Sequence, residues 1–246
     1  MKAMVLAAGL GTRLRPLTND RPKALVEVSG RTLLEITLSR LREFGIHDVI
    51  INVHHHADMV VRRVKAASAF GMNIEFSREE ILLDTGGGLK QAAWFLSDKG
   101  SHEPFILHNV DVVSNIDLGQ MVQFHNANKA LATLAVQDRK TSRYLLFNKQ
   151  GGLCGRRFVK EQKTEMARPA QQITELAFSG IHIISPRIFS LLTEEGVFSI
   201  VPPYLRLAGE GEKIMAFRAD KYYWQDLGKT ENIRQAEQDM KANLVR

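Results

Sequence analysis

A chain of 246 residues with 44% hydrophobic content can bury a sizeable core, as one large α/β domain or two small ones. Its 33 basic and 27 acidic residues leave a formal charge of +6, which suits an anionic substrate and is too small to imply a nucleic-acid partner. The single cysteine, Cys154, excludes an intrachain disulfide and any Cys-cluster zinc site and fits a reducing, cytoplasmic setting. No stretch approaches the roughly 20 apolar residues of a membrane span, so no membrane partner is expected.

The opening "MKAMVLAAGL" reads as a buried first strand, Ala3–Ala8, because Gly9, Gly11, Arg13, Arg15 and Pro16 interrupt any signal-peptide pattern at once. Apolar runs then alternate with segments of helical period. A helix is predicted over Leu33–Phe44, ended by Gly45, then a strand over Val49–Val53. A second helix follows over Ala57–Phe70, ended by Gly71, and a strand over Asn73–Ser77. The pattern continues with a helix from about Gly88 to Leu96, a strand Phe105–His108, a helix Leu118–Asn126 and a strand Leu131–Val136. From Tyr144 to Ser185 it changes to several strands around a turn at Gly151–Gly152, an antiparallel extension where an acceptor is expected to bind. Helices near Pro186–Leu192 and Ser199–Ala208, a strand Lys213–Arg218 and a last helix after "WQDLG" complete the chain. Such alternation predicts a three-layer α/β/α arrangement, a mostly parallel sheet covered by helices.

"GLGTRLRP", Gly9 to Pro16, departs from both familiar phosphate-binding patterns. The dinucleotide fingerprint needs glycine where this chain has Leu14, and Pro16 would break the helix it opens; the Walker string does not occur. What remains is a glycine loop that approaches a phosphate closely without entering a long helix. Side-chain cations must then supply much of the charge neutralisation, and Arg13, Arg15 and Lys23 are placed to do so.

Asp111, in "HNVDVV", follows a buried strand, at the carboxyl end where open α/β sheets place ligands. A carboxylate there is costly unless paired or bound to metal. In "LDTGGGL" three glycines are expected ahead of a helix, letting backbone pack against a planar base while Asp84 or Thr85 offers a polar edge; Thr85 is equally a candidate helix cap. Consecutive histidines His54, His55 and His56 cannot all face one ion, so one is expected toward the cleft and the others to cap the next helix or meet solvent.

"LAAGLGTRLRPLT…RPKAL" resembles the signature of sugar-1-phosphate nucleotidylyltransferases. "TGGGL", "NVDV", "FSGIHIISPRIF" and "YWQDLGKTENI" extend the likeness over nearly the whole chain. The resemblance implies a Rossmann-like, GT-A-like single domain with a nucleotide-binding half over about 1–137 and a sugar-phosphate half over about 138–246. It implies an NTP, UTP or GTP favoured, and a sugar 1-phosphate as partners, with Mg²⁺ as cofactor. Arg13 and Lys23 become catalytic, contacting the leaving phosphates and the α-phosphate. Leu6, Ala7, Ala8, Gly9, Gly11, Thr12, Thr85, Gly86, Gly87 and Asn109 join them in nucleotide binding, and Asp111 and Asp226 become the metal ligands.

The family's Glu-Lys-Pro motif is replaced by "FVKEQKTE", so Lys160, Arg143, Arg156 and Arg157 compete as the sugar-phosphate cation, with Ser179 and Gly180 beside them. The resemblance is greatest to short N-acetylmuramate-1-phosphate uridylyltransferases and mannose-1-phosphate guanylyltransferases. A cytidylyltransferase acting on phosphocholine and a non-catalytic regulatory homologue are the alternatives. No C-terminal hexapeptide β-helix is expected, and the assembly is expected to be a monomer or a small homo-oligomer.

Overall fold

The first strand, β1 (Lys2–Leu6), shows how the layers arise: Met4 packs on one side of the sheet while Ala3 and Val5 pack on the other. The structure, a computed structural model, describes residues 1–97 and 102–245. A hairpin, β2 (Glu27–Val28) and β3 (Arg31–Thr32), leads into α1 (Leu33–Glu43). A capping box starts this helix: Glu35 N–H donates to Thr32 Oγ1 at 3.2 Å and Thr32 N–H to Glu35 Oε2 at 2.8 Å. Gly45, at φ 74°, turns the chain just beyond its end. Next come β4 (Asp48–Val53), α2 (Ala57–Ala66) and β5 (Asn73–Arg78). Helix α2 is shorter than the periodicity predicts, because its buried stripe is Val60 and Val64, and the following positions, Ala67 and Ser68, offer no apolar anchor. A 3₁₀ turn over Ser68–Gly71 replaces its last turn.

Helix α3 (Asp84–Gln91) begins four residues earlier than expected and contains the glycines that were placed ahead of it. Helix α4 (Ala93–Leu96) follows, then β6 (Phe105–Asn109), β7 (Val112–Ser114), α5 (Leu118–Asn128) and β8 (Ala132–Gln137). The antiparallel part comprises β9 (Arg143–Phe147), β10 (Leu153–Phe158), β11 (Lys163–Met166) and the long β12 (Thr174–Ile184). After a 3₁₀ segment over Pro186–Ser190 come α6 (Val201–Gly209), β13 (Ile214–Arg218), β14 (Trp224–Asp226) and α7 (Thr230–Lys241).

One ten-stranded sheet runs β11-β10-β9-β12-β6-β1-β4-β5, with β8 pairing β12 and β13. Pairs β1–β4, β1–β6, β4–β5 and β8–β13 are parallel, whereas β12 runs antiparallel to β6, β8 and β9. On one face Val5, Ile51 and Ile106 pack with Leu38 and Leu41 of α1, Val60 of α2, Met121 of α5 and Ile233 of α7. On the other face Met4, Ile50 and Leu107 pack with Leu89 of α3, Leu96 of α4 and Leu207 of α6. That alternation makes the predicted α/β/α layering, and it aims the carboxyl ends of β1, β4 and β6 into one cleft. No described helix is long and apolar enough to cross a membrane.

Candidate active site

The loop after β1 forms a single 3₁₀ turn over Thr12–Leu14 and does not open a helix, as the sequence predicts. Gly11 sits at φ 65°, and a Cβ there would stand 2.9 Å from Thr18 Cγ2 and 3.1 Å from Lys23 Cβ, so both conformation and packing require glycine. Thr18 Oγ1 donates to the Gly11 carbonyl at 2.9 Å and pins the loop. At Gly9 no protein atom lies within 4 Å of a Cβ position, which leaves its backbone open to a ligand. Leu6, Ala8 and Gly9 line a cleft of about 460 Å³ with Lys23, Asn109 and Asp111. Thr12 and Arg13, later in the same loop, are exposed, and Ala7 is buried with its N–H donating to Asn52 Oδ1 at 2.7 Å.

Lys23 leads a second 3₁₀ turn, Lys23–Leu25, that follows Pro22, and its Nζ forms an ion pair with Asp111 Oδ2. Asp111 stands between β6 and β7, and its carbonyl accepts the N–H of Leu227 at 2.8 Å. Strand β14 pairs antiparallel with β7, Asp226 opposite Val112. The backbones of Asp111 and Asp226, far apart in sequence, are therefore neighbours at one end of a two-stranded ribbon. Asp226 Oδ1 accepts the N–H of Gly228 at 2.6 Å. A Cβ on Gly228 would stand 2.5 Å from Arg13 Nη2 and 2.7 Å from Asp226 Oδ1, so the guanidinium and carboxylate flank the same glycine.

The opposite wall contains a pair that sequence reasoning missed. Asn52, at the end of β4, donates to Glu79 Oε1 at 2.6 Å, and Leu83 N–H donates to Glu79 Oε2 at 3.0 Å. His54 Nδ1 donates to the Glu79 carbonyl at 2.9 Å. Both Asn52 and Glu79 are buried and both line the cleft, so this pair ties the β1 loop to the segment that leads into α3. The strand-end rule that singled out Asp111 applies equally to Asn52 and would have found it.

Asp84 and Thr85 line the cleft as expected, but Thr85 Oγ1 accepts from Ile200 N–H at 3.0 Å and does not cap α3. Gly86 and Gly87 do not line the cleft, and their N–H groups donate to the Phe198 carbonyl at 2.9 and 3.1 Å. A Cβ on Gly86 would collide with the Phe198 ring, and one on Gly87 with the Gly196 carbonyl. Their glycine identity thus answers to tertiary packing, which outweighs the low helix propensity of glycine. His56 occupies the position before α2 without a side-chain cap, correcting the expected capping role, and His55 is exposed against its ring at 3.9 Å between centroids.

On the β12 side, Ser179 is fully buried and Gly180, at φ 74°, leaves room for Asn109, whose Nδ2 would be 2.8 Å from a Cβ. The β12–β8 register is irregular between Phe178 and His182. There the Ser179 carbonyl accepts from Trp224 Nε1 and the Phe178 carbonyl from Arg139 Nη2, both at 2.7 Å. The Arg139 guanidinium stacks on Trp224, 3.7 Å from the ring centre. The competing cations are not gathered there. Arg143 and Lys160 are exposed, Lys160 lying in the β10–β11 turn, and neither they nor Arg139 line the cleft, while Arg156 and Arg157 are paired with Glu165 and Glu175 at 2.6 Å.

A glycine loop and a lysine–aspartate pair at the carboxyl edge of a parallel sheet, with a second aspartate on the adjoining antiparallel ribbon, define a phosphate-handling enzyme of the nucleotidyltransferase class. The nucleotidyl transferase family model matches residues 2–243, and the chain belongs to that family. It is 36% identical over 214 residues to the N-acetylmuramate alpha-1-phosphate uridylyltransferase of Caulobacter vibrioides, covering 85% of each chain. It is 29% identical to the mannose-1-phosphate guanyltransferase of Yarrowia lipolytica over 95% of this chain, spanning 62% of that protein's length. Among solved structures, HddC from Yersinia pseudotuberculosis complexed with GMP-PN superposes with a TM-score of 0.76 at 22% identity, over 97% of this chain and 99% of that one. The inositol-1-phosphate CTP transferase from T. maritima gives 0.76 at 15% identity, over 98% and 94%. These two likenesses establish the shared fold.

Proposed function

We propose that the chain transfers a nucleotidyl group from an NTP, with UTP or GTP favoured, to a sugar 1-phosphate, giving an NDP-sugar and pyrophosphate. The convergence of Gly9, Lys23 and Asp111 at one cleft, with Asp226 on the ribbon that continues from Asp111, carries this reading, and the names of the relatives support the substrate classes. The nucleotide half, about residues 1–137, supplies the glycine loop, Lys23 and the Asn52–Glu79 wall. The acceptor half, about residues 138–246, supplies Trp224 and Asp226. Arg13 neutralises the departing pyrophosphate, and Lys23 turns from Asp111 to the α-phosphate when nucleotide enters. A phosphate monoester, with a second pKa of about 6, is largely dianionic at neutral pH, so the acceptor oxygen attacks phosphorus without a general base. Catalysis then rests on alignment and charge neutralisation.

The donor set fits a magnesium ion. Asp111 Oδ1 and Asp226 Oδ2 have no hydrogen-bond partner among the described residues, and both are hard oxygen donors. No third His, Cys, Asp or Glu joins them among the described residues, so substrate phosphates and water would complete the shell, as Mg²⁺ prefers. When bound, the ion would polarise the α-phosphoryl oxygens. The buried Cys154 thiol is compatible with a cytoplasmic enzyme.

A screen of the four NTPs against a panel of sugar 1-phosphates with Mg²⁺ tests the reading through pyrophosphate release. Turnover with at least one pair, UTP or GTP above ATP, is the expected result. Nucleotide binding with no turnover on any pair would leave a regulatory nucleotide-binding protein instead.

A further inference from the structure

We propose that Arg139 is the cation that receives the acceptor's phosphate, in the role for which Lys160 and Arg143 were candidates; this rests on the nucleotidyl-transfer reading above. Its position follows from topology. Strand β6, with Asp111 beyond its end, lies between β1 and β12 in the sheet. Arg13 follows β1, whereas Arg139 follows β8 and is held against the Phe178 carbonyl of β12. The topology thus puts Arg13 on the β1 side of β6 and Arg139 on its β12 side. An in-line displacement at phosphorus needs that arrangement, with the leaving pyrophosphate on one side and the incoming phosphate on the other.

The side chain is also prepared for an anion. Trp224 and Asp226 stand two residues apart on β14, so they share a face, and the guanidinium stacked on Trp224 lies on the same face as the Asp226 carboxylate. Burial lowers the pKa of Arg139 and the charge of Asp226 opposes that shift, with no ion pair between the two. Of the guanidinium nitrogens, only Nη2 has a partner among the described residues, the Phe178 carbonyl, and Nε is buried with none. A stacked, half-buried guanidinium whose Nη1 is uncommitted and whose plane is fixed is a preorganised donor for phosphate oxygens. Arg156 and Arg157, by contrast, already spend their charge on Glu165 and Glu175.

R139M keeps a stem to pack on Trp224 and removes the charge; R139K keeps the charge and removes the planar fork. With the full-length protein, each variant is assayed for pyrophosphate release with the best NTP–sugar phosphate pair. Binding of a non-hydrolysable NTP analogue, without acceptor, is measured alongside. The expected result for R139M is a fall in kcat/KM for the sugar phosphate on the order of 10², with analogue affinity within about threefold of wild type. R139K should fall between the two. Wild-type-like kcat/KM for the acceptor in folded R139M would overturn the assignment of Arg139 alone. Equal weakening of the NTP analogue would also overturn it, moving the guanidinium to the nucleotide side. Absence of turnover by the wild type with every pair would instead overturn the nucleotidyl-transfer reading and the assignment with it.

Discussion

Lys23 and Asp111, 88 residues apart, form an ion pair at the floor of the cleft with only 13% and 15% of their side chains exposed. This pairing alters what a charge-removing substitution does. Considered as two neighbouring carboxylates, Asp111 and Asp226 would gain stability from Asp111→Asn through relief of repulsion. With Lys23 already against Asp111, the same substitution leaves a poorly hydrated ammonium without its partner. Asp111→Asn is expected to lower stability by about 1–3 kcal/mol while abolishing turnover. Urea unfolding of the two single variants and the double variant with Lys23→Met checks this; independence of the two sites would refute the coupling.

Asp226→Asn offers the contrast. Its Oδ1 accepts from Gly228 N–H, and the asparagine oxygen can still do so. Stability should stay within about 0.5 kcal/mol, as for substitutions away from special features, while metal-dependent turnover collapses. Removing divalent ions with a chelator should likewise stop pyrophosphate release by the wild type, and Mg²⁺ should restore it.

Arg13→Ala should lower kcat by about 10² and leave nucleotide affinity and the thermal transition much less affected. The side chain is exposed, so its removal costs little packing. Near-normal kcat in the folded variant would remove Arg13 from the chemistry.

Gly86→Ala sets two effects against each other. Alanine in a helix interior is favoured over glycine by about 0.8–1.0 kcal/mol, but here the new methyl meets the Phe198 ring in a buried contact. Overpacking of this kind costs about 1–3 kcal/mol, so the clash wins and the variant should unfold at lower denaturant. A stabilised variant would show that the 196–198 segment yields freely.

Burial holds His108 down to about 4 and His182 to about 3, below the usual 6.5. The unfolded chain therefore binds protons that the folded chain refuses, and stability is lost as pH falls below about 6.5. The loss continues to the folded values, with a slope of up to about 1.4 kcal/mol per pH unit for each histidine. His182→Gln should flatten the stability profile between pH 6 and 4. An unchanged slope would mean that His182 does not contribute.

How far these sites were legible can be judged residue by residue. Gly9, Gly11, Lys23 and Asp111 stood out because loop chemistry and strand ends leave local marks: glycines beside cations, and a carboxylate after an apolar run. Asn52 and Glu79 carried no such mark, since an asparagine at a strand end and a glutamate in a polar loop are ordinary until Ala7 N–H and Leu83 N–H are seen to need them. Gly86 and Gly87 looked like a ligand-facing turn, and the requirement for glycine came from Phe198 and Gly196, more than 100 residues away.

The sequence by itself determined the layered α/β architecture, the glycine loop and the family, because hydrophobic period, turn residues and short motifs are local and accumulate over many positions. Only the tertiary structure decided that Asn52 and Glu79 pair in the cleft wall, that Thr85 braces Ile200, and that Arg139 stacks on Trp224 while Lys160 stays at the sheet's edge. Those outcomes depend on which strands become neighbours and on an irregular register in β12. Pairing of that kind is set by the packing of the whole sheet, and a charged side chain leaves no periodic trace of the partner it will meet.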